Sequence, residues 1–192
     1  MSNRKTIMER ALESTFEFPN PHTMVVRNAC IFWTNFAGAP TNANPVGGKC
    51  TFNLALNEVV ADKLREEGWN IKTYIRPKQD PNDPDDIRIY TECVVKLDSN
   101  YPPTIARYST HNGRKAVEDI TTNRQLADLD KVNAERWDVV INYSRNKMGQ
   151  FTYKGYVREL RVKERETVAY FEDEYADFTE ISVPTTEELN VD

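Results

Sequence analysis

The sequence predicts a mainly-β fold, a five-stranded Greek-key barrel with one or two short inserted helices. Three observations lead there. Short apolar runs with period-two alternation recur along the chain, Gly/Pro/Asn clusters separate them, and few stretches show helical spacing. Strands with one or two short helices between them fit a small barrel or a sandwich, and the barrel is the preferred architecture. The 192 residues suit one domain of about 150 residues with extensions. We divide them into an N-terminal arm (1–22), the β-barrel domain (23–165) and an acidic C-terminal tail (166–192).

The arm, MSNRKTIMERALESTFEF, contains bases but no apolar core of a secretory signal. Its Met8, Leu12, Phe16 spacing allows a short amphipathic helix or a mobile arm. The first strand-like run is Thr23 to Phe36 and the second Gly48 to Leu56, with the loop AGAPTNANPVG between them. Asn57 reads as the N-cap of a helix over EVVADKLREE that Gly68 stops, with Val59, Val60, Lys63 and Leu64 on its packed side. Trp69 to Arg76 is the third run, followed by the Pro/Asp loop at 77–86. Ile87 to Leu97 is a fourth strand and Pro103 to Tyr108 a short fifth. Residues 110–135 are polar and mixed, with room for a short helix from Arg124 to Ala134. Trp137 to Tyr143 and Phe151 to Val162 make a closing hairpin across RNKMG.

Alternation divides each strand into an inner and an outer face. Cys50, Phe52, Leu54 and Leu56 fall inside, against Lys49, Thr51 and Asn53. Trp69, Ile71 and Ile75 oppose Lys72, Tyr74 and Arg76. Ile87, Ile89, Cys93, Val95 and Leu97 oppose Arg88, Tyr90, Glu92 and Lys96, and Lys154, Tyr156 and Arg158 share a face. Trp33 falls opposite Phe32 and Phe36, with Arg27 and Asn35. Single-stranded nucleic acid needs such surfaces: cations for phosphates and flat rings for bare bases, each stack being worth about 1–3 kcal/mol. Tyrosine flanked by bases is also common on any solvent-facing sheet. Recurrence on three strands is what points to binding.

Charge patterning points the same way. Nine of the 30 acids and none of the 25 bases lie in residues 166–192, so the tail carries −9 and the preceding body +4, giving the overall −5. This asymmetry suggests a nucleic-acid partner for the body and a docking or self-masking tail, against the plainer reading of a solubilising C-terminus. A body of +4 is only weakly basic for such a partner, so its cations must cluster. No window approaches the roughly 18 apolar residues of a membrane span, and a cytoplasmic location is expected.

Catalytic chemistry finds little support. The three cysteines, Cys30, Cys50 and Cys93, form no C-x-x-C pair and read as reduced, buried thiols. His22 and His111 sit in turn-like contexts, no P-loop, nucleophile elbow or zinc motif occurs, and no cofactor or metal site is expected. Asp128 and Asp130 are the remaining carboxylate candidates, with capping or surface roles preferred.

The segments RNACIFWTNFAGAPTNANPVGGKCTFNLAL, EEGWNIK, YPPTI, GYVREL and EDEYADF together resemble a family of single-stranded DNA-binding proteins from tailed bacteriophages, over about residues 24–178. The resemblance implies an OB-like barrel that coats single-stranded DNA in phage replication or recombination, with the acidic tail recruiting replication or recombination proteins and competing with DNA for the groove. Many such proteins end in an acidic tip closed by an aromatic residue. Here Phe178 is followed by fourteen more residues, so either the docking motif is internal, FEDEYADF, or the tail acts differently.

The combined reading is a non-catalytic, sequence-tolerant single-stranded DNA-binding protein. Trp33, Tyr74, Tyr90 and Tyr156 are the expected stacking platforms. Arg27, Lys49, Lys72, Arg76, Arg88, Lys154 and Arg158 are the expected phosphate contacts. Phe171, Glu172, Asp173, Glu174, Tyr175, Asp177 and Phe178 form the expected partner-binding tail. The alternatives are a phage structural or protein-interaction β-domain without DNA binding and, with less support, a metal-dependent nuclease. Oligomeric state is left open, a homo-oligomer included.

Overall fold

A computed structural model describes residues 6–42, 44–75, 89–111, 113–145 and 153–166. The segment assigned to an arm contains a helix, α1 (Ile7–Leu12), and a strand, β1 (Thr15–Asn20). A reciprocal cap starts α1: Glu9 N donates to Thr6 Oγ1 at 3.2 Å and Thr6 N to the Glu9 carboxylate at 2.6 Å. β1 turns back onto β2 (Thr23–Arg27) as an antiparallel pair.

The long run from Thr23 to Phe36 is not one strand. It breaks at Asn28, whose φ of 52° lies in the left-handed region, tolerated by Asn better than by most residues. Asn28 N donates to Asp138 Oδ1 at 2.8 Å and Ala29 N to the Trp137 carbonyl at 2.7 Å, while the Cys30 carbonyl accepts from Ala55 N at 2.9 Å. The chain thus leaves one part of the sheet and enters another as β3 (Ile31–Asn35), which pairs with β4 (Thr51–Leu56).

Asn57 caps α2 (Glu58–Glu66) by accepting from Val60 N at 2.9 Å. Val60, Ala61 and Leu64 are buried. Val59 points outward instead of packing, because Ala61, small and one position further round, takes the core side. Lys63 lies 3.4 Å above the Phe18 ring, which holds α2 against β1. The chain continues through β5 (Lys72–Ile75), β6 (Ile89–Lys96), the hairpin of β7 (Thr104–His111) and β8 (Arg114–Asp119), α3 (Asn123–Asp128), a 3-10 turn (Leu129–Lys131), and the hairpin of β9 (Ala134–Arg145) and β10 (Tyr153–Glu164). The Pro/Asp loop at 77–86 lies outside the described residues. β8 went unseen in the sequence because its residues are all exposed and alternate no apolar face.

The expected five-stranded barrel is incorrect. The described residues form a ten-stranded mixed sheet in the order β1-β2-β9-β10-β6-β4-β3, with β5 added to β6 and the β7–β8 hairpin added to β10. It does not close, since no ladder joins β3 to β1 or β2 among the described residues. Closure is blocked locally: β1 takes the outer edge of β2, and β3 loses its register between Phe32 and Asn35. One edge of β10 pairs with β9, and the other is divided, Gly155 and Tyr156 running parallel to β6 and Glu159–Lys163 parallel to β7. Two strands sharing one edge fan the sheet out.

The main core lies on one face of this sheet, and a smaller cluster of Ala11, Cys30 and Ala55 is buried on the other. Met24, Val26, Phe52, Leu54, Leu56, Val95, Val139, Ile141, Leu160 and Val162 meet in the main core under Val60, Ala61 and Leu64 of α2 and Leu129. The inner-face assignments for Phe52, Leu54, Leu56, Trp69, Cys93 and Val95 match this burial. Ile75 does not: it is 78% exposed, because β5 is an edge strand that its neighbour covers on one side only. Ile89, its cross-strand partner, is also exposed. No helix among the described residues is long and apolar enough to cross a membrane.

Gly155 is required by space. A Cβ there would sit 3.0 Å from both Ile141 Cγ2 and Trp69 Cη2, closer than packed carbons allow. We expect Gly155→Ala to lower stability by about 1–3 kcal/mol, read as a lower urea midpoint with an unchanged slope.

Candidate functional site

The face opposite the core is organised by strand register. Thr23, Asn142, Tyr156, Lys96 and Thr51 form one row across β2, β9, β10, β6 and β4, each the direct cross-strand partner of the next. Because side chains alternate, the neighbours of these residues, such as Met24, Ile141, Val95 and Phe52, point into the core, and the row points away from it. Lys154 lies two residues before Tyr156 on the same face, and Lys49 just precedes β4.

These lysines converge. Burial, followed by the Lys154 and Lys49 ammonium groups, pushes the Lys96 ammonium below its ordinary range. Among the described residues none of the three is ion-paired. Three like charges near one another, none ion-paired among the described residues, attract an anion. Beside them is an open cavity of about 390 Å³ lined by His22, Thr23, Asn142, Tyr143, Ser144 and Tyr156. Thr23 Oγ1 donates to Asn142 Oδ1 at 3.1 Å and orients that amide. The His22 and Tyr143 rings meet edge to face at 6.3 Å, and burial, with the Glu67 carboxylate next, pushes the Tyr143 phenol up.

A second group lies further along the same face. Tyr74 and Tyr90 are direct partners on β5 and β6, their rings stacked at 5.5 Å and 23°. Trp33 meets Tyr74 at 6.1 Å and Tyr90 at 5.8 Å, edge to face, and Phe32 joins at 5.2 Å from Trp33 and 5.4 Å from Tyr90. Alternation should separate Phe32 from Trp33. Both turn to one side because Trp33 has a φ of 46° at the β3 irregularity, a rare conformation for a bulky residue and one that bulges use to re-aim side chains. Trp33 is 49% exposed whereas Tyr90 is 3% exposed. Tyr90 is therefore the floor of the cluster; as an outward platform it is incorrect, since Phe32, Trp33 and Tyr74 cover it. From Tyr90 to Lys96 is about 20 Å along β6 at ~3.3 Å per residue, with buried Glu92 and exposed Val94 between them on that face.

The other expected phosphate contacts are dispersed. Lys72 is exposed on β5 opposite Glu92, an acid that is 1% exposed. Arg27, at the end of β2, is ion-paired to Glu17 at 3.2 Å. Arg158 is exposed at the register shift of β10. Arg76, Arg88 and the tail residues Phe171 to Phe178 lie outside the described residues. Lys96 sits at the centre of the basic group. Alternation had placed it on the outer face, and only register shows how near it comes to Lys49 and Lys154. Phe32 and the cavity residues His22 and Asn142 carried no sequence signal.

The candidate carboxylates have structural work. Asp130 accepts from Phe36 N and Ala37 N, both at 2.9 Å, tying the 37–47 loop to the 3-10 turn, and Asp128 faces Lys131 at 3.4 Å. No group of His, Cys, Asp and Glu among the described residues could hold a metal ion. Burial, then the Glu92 carboxylate, pushes the Cys93 thiol up to about 12, and such a thiol is inert. The arrangement can bind a strand carrying phosphates and flat rings.

Residues 16–189 match the model of the family described as "Putative phage ssDNA-binding domain". No curated protein matches. Among solved structures, the single-stranded DNA-binding protein from bacteriophage Enc34 in complex with ssDNA aligns with 11% identity and a TM-score of 0.43, over 76% of this chain and 88% of that one. A C-terminal truncation of the Enc34 protein aligns with 11% identity and a TM-score of 0.39, over 82% and 98%.

The lysine group makes a titration prediction. Removing a neighbouring positive charge favours the charged form of Lys96, so Lys154→Ala should raise the Lys96 pKa, followed by NMR of its side-chain nitrogen. An unchanged value would show that the two ammonium groups do not share a site.

Proposed function

The chain belongs to the phage single-stranded DNA-binding domain family, and on that premise we propose that it coats single-stranded DNA without sequence preference or catalysis during phage replication or recombination. The observation that carries this reading is the Lys49, Lys96 and Lys154 group around Tyr156, not ion-paired among the described residues, on the same sheet face as the Trp33 and Tyr74 rings. Phosphates of a bound strand sit on the lysines and displace counterions, which makes affinity depend on salt. Bare bases stack on Trp33, Tyr74 and Tyr156, and the His22/Asn142 cavity beside Tyr156 is wide enough for a base that turns off the strand. Duplex DNA hides its base faces and gains only the phosphate term, so the single strand is preferred.

Arg27 contributes less than its position suggests, since a phosphate must displace Glu17 to reach it. The tail from Glu166 to Asp192 supplies nine carboxylates and no base. It competes with DNA for the lysine group and, when displaced, recruits replication or recombination proteins through Phe171 to Phe178.

Fluorescence anisotropy with labelled oligo-dT and duplex tests this reading. We expect tighter binding to oligo-dT, weakened by salt and strengthened in a protein ending at Arg165. Replacing Lys49, Lys96 and Lys154 with Ala should flatten the slope of log affinity against log salt by about 2, at ~0.7 per phosphate contact. Trp33→Ala should cost about 1–3 kcal/mol. Absence of binding by either length at low salt would leave the protein-interaction alternative in its place.

Trp69 and Trp137 are buried, so Trp33 is the exposed indole among the three. Quenching of intrinsic emission by oligo-dT should be largely lost in Trp33→Phe, and persistent quenching would place the strand elsewhere.

A further inference from the structure

The sheet has several outer edges, and they are not alike. Proteins blunt exposed edges with proline, bulges or very short strands, because an open edge templates pairing with another chain. β1 carries Pro19 and loses register between Glu17 and Asn20. β3 is bent at Trp33, and β5 has four residues. β8 has no proline, bulge or short length, and of the devices that protect an edge it carries charge alone, as Arg114, Lys115, Glu118 and Asp119. Its six residues, Arg114-Lys115-Ala116-Val117-Glu118-Asp119, are all exposed and keep unbroken register with β7, and no strand takes the other edge among the described residues. Alternate residues of an antiparallel pair exchange their backbone bonds. Ile120 N donates to the Ile105 carbonyl at 2.9 Å, so Arg114, Ala116 and Glu118 bond β7 and the N–H and C=O groups of Lys115, Val117 and Asp119 face outward.

We propose that β8 is a docking edge for a second copy of this chain, the two β8 strands pairing antiparallel about Val117. The strand begins with two bases and ends with two acids. A two-fold symmetric antiparallel pair places a residue opposite its own copy at the centre. With Val117 there, Lys115 of each copy faces Asp119 of the other, and the three outward-facing positions form the bonded pairs. The central contact covers Val117, which is 63% exposed. On the other face Arg114 reaches the other copy's Glu118 along the diagonal, while Glu118 also faces Arg107 of its own chain at 3.5 Å. A strand protected by charge would carry one sign and repel its copy. Here the sign changes midway, so self-pairing brings opposite charges together. The edge is small, so the pairing is weak and reversible. This inference does not rest on DNA binding.

Sedimentation equilibrium of the full-length protein, without DNA and into the high-micromolar range, tests it. The weight-average mass should rise with concentration from 22.2 kDa towards twice that value. Lys115→Asp and Asp119→Lys should each weaken the dimer about tenfold or more, since each makes both cross-strand pairs repulsive. Mixing the two variants should restore association, as should combining both substitutions in one chain. Val117→Pro, which removes an outward N–H without taking a bond from β7, should abolish it. A wild-type protein that stays monomeric, or a dimer whose mass none of these substitutions changes, overturns the proposal.

Discussion

The packing of the Trp69 ring against a strand with no side chain at Gly155 is the contact on which the rest of the structure depends. Trp69 is buried, bridges in parallel to Tyr153, meets the Tyr143 ring edge to face and stacks on the Tyr153 ring. The ring fits because Gly155 offers bare backbone, and Ile141 closes the other side of the same space. That contact sets the start of β10 against β6 and β9 at one register. Since a strand's side chains alternate, setting Gly155 inward sends Lys154 and Tyr156 outward. The basic group, the row from Thr23 to Thr51 and the adjoining cavity all follow from that register.

Two left-handed residues do the complementary work where alternation would fail. Asn28 lets one apolar run serve two parts of the sheet, with β2 on β9 and β3 on β4. Trp33 turns its indole to the side of Phe32, which builds a four-ring cluster with a buried floor, Tyr90, and an exposed rim. A rim resting on packed rings is held rigid, and a rigid platform loses little side-chain freedom when a flat ligand lies on it. The strain at Trp33 is therefore coupled to the surface it creates.

Electrostatics divide the molecule in a similar way. Several cations of the described residues are neutralised locally, as with Arg27 and Glu17, Arg107 with Glu164, and Lys163 with Glu135. The Lys49, Lys96 and Lys154 group is not. In a body whose net charge is only +4, three ammonium groups at one place give a local field that exceeds what net charge suggests.

The sequence by itself determined most of the core strands and the apolar side of β4 and of most of β6, where α2 begins, and that the closing hairpin joins β9 to β10. These depend on local spacing and capping, and Phe52, Leu54, Val95 and Asn57 behave as their neighbours dictate. The resemblance carried by its spaced segments also pointed to the family before any fold was known. Tertiary structure alone decided that the sheet stays open, that Tyr90 is a floor and Phe32 a neighbour of Trp33, that Arg27 is paired, and that Lys96 is the centre of the basic group. Each of those depends on which strand lies beside which. Partners such as Tyr156 and Lys96, or Tyr74 and Tyr90, meet through pairing registers that local spacing does not encode.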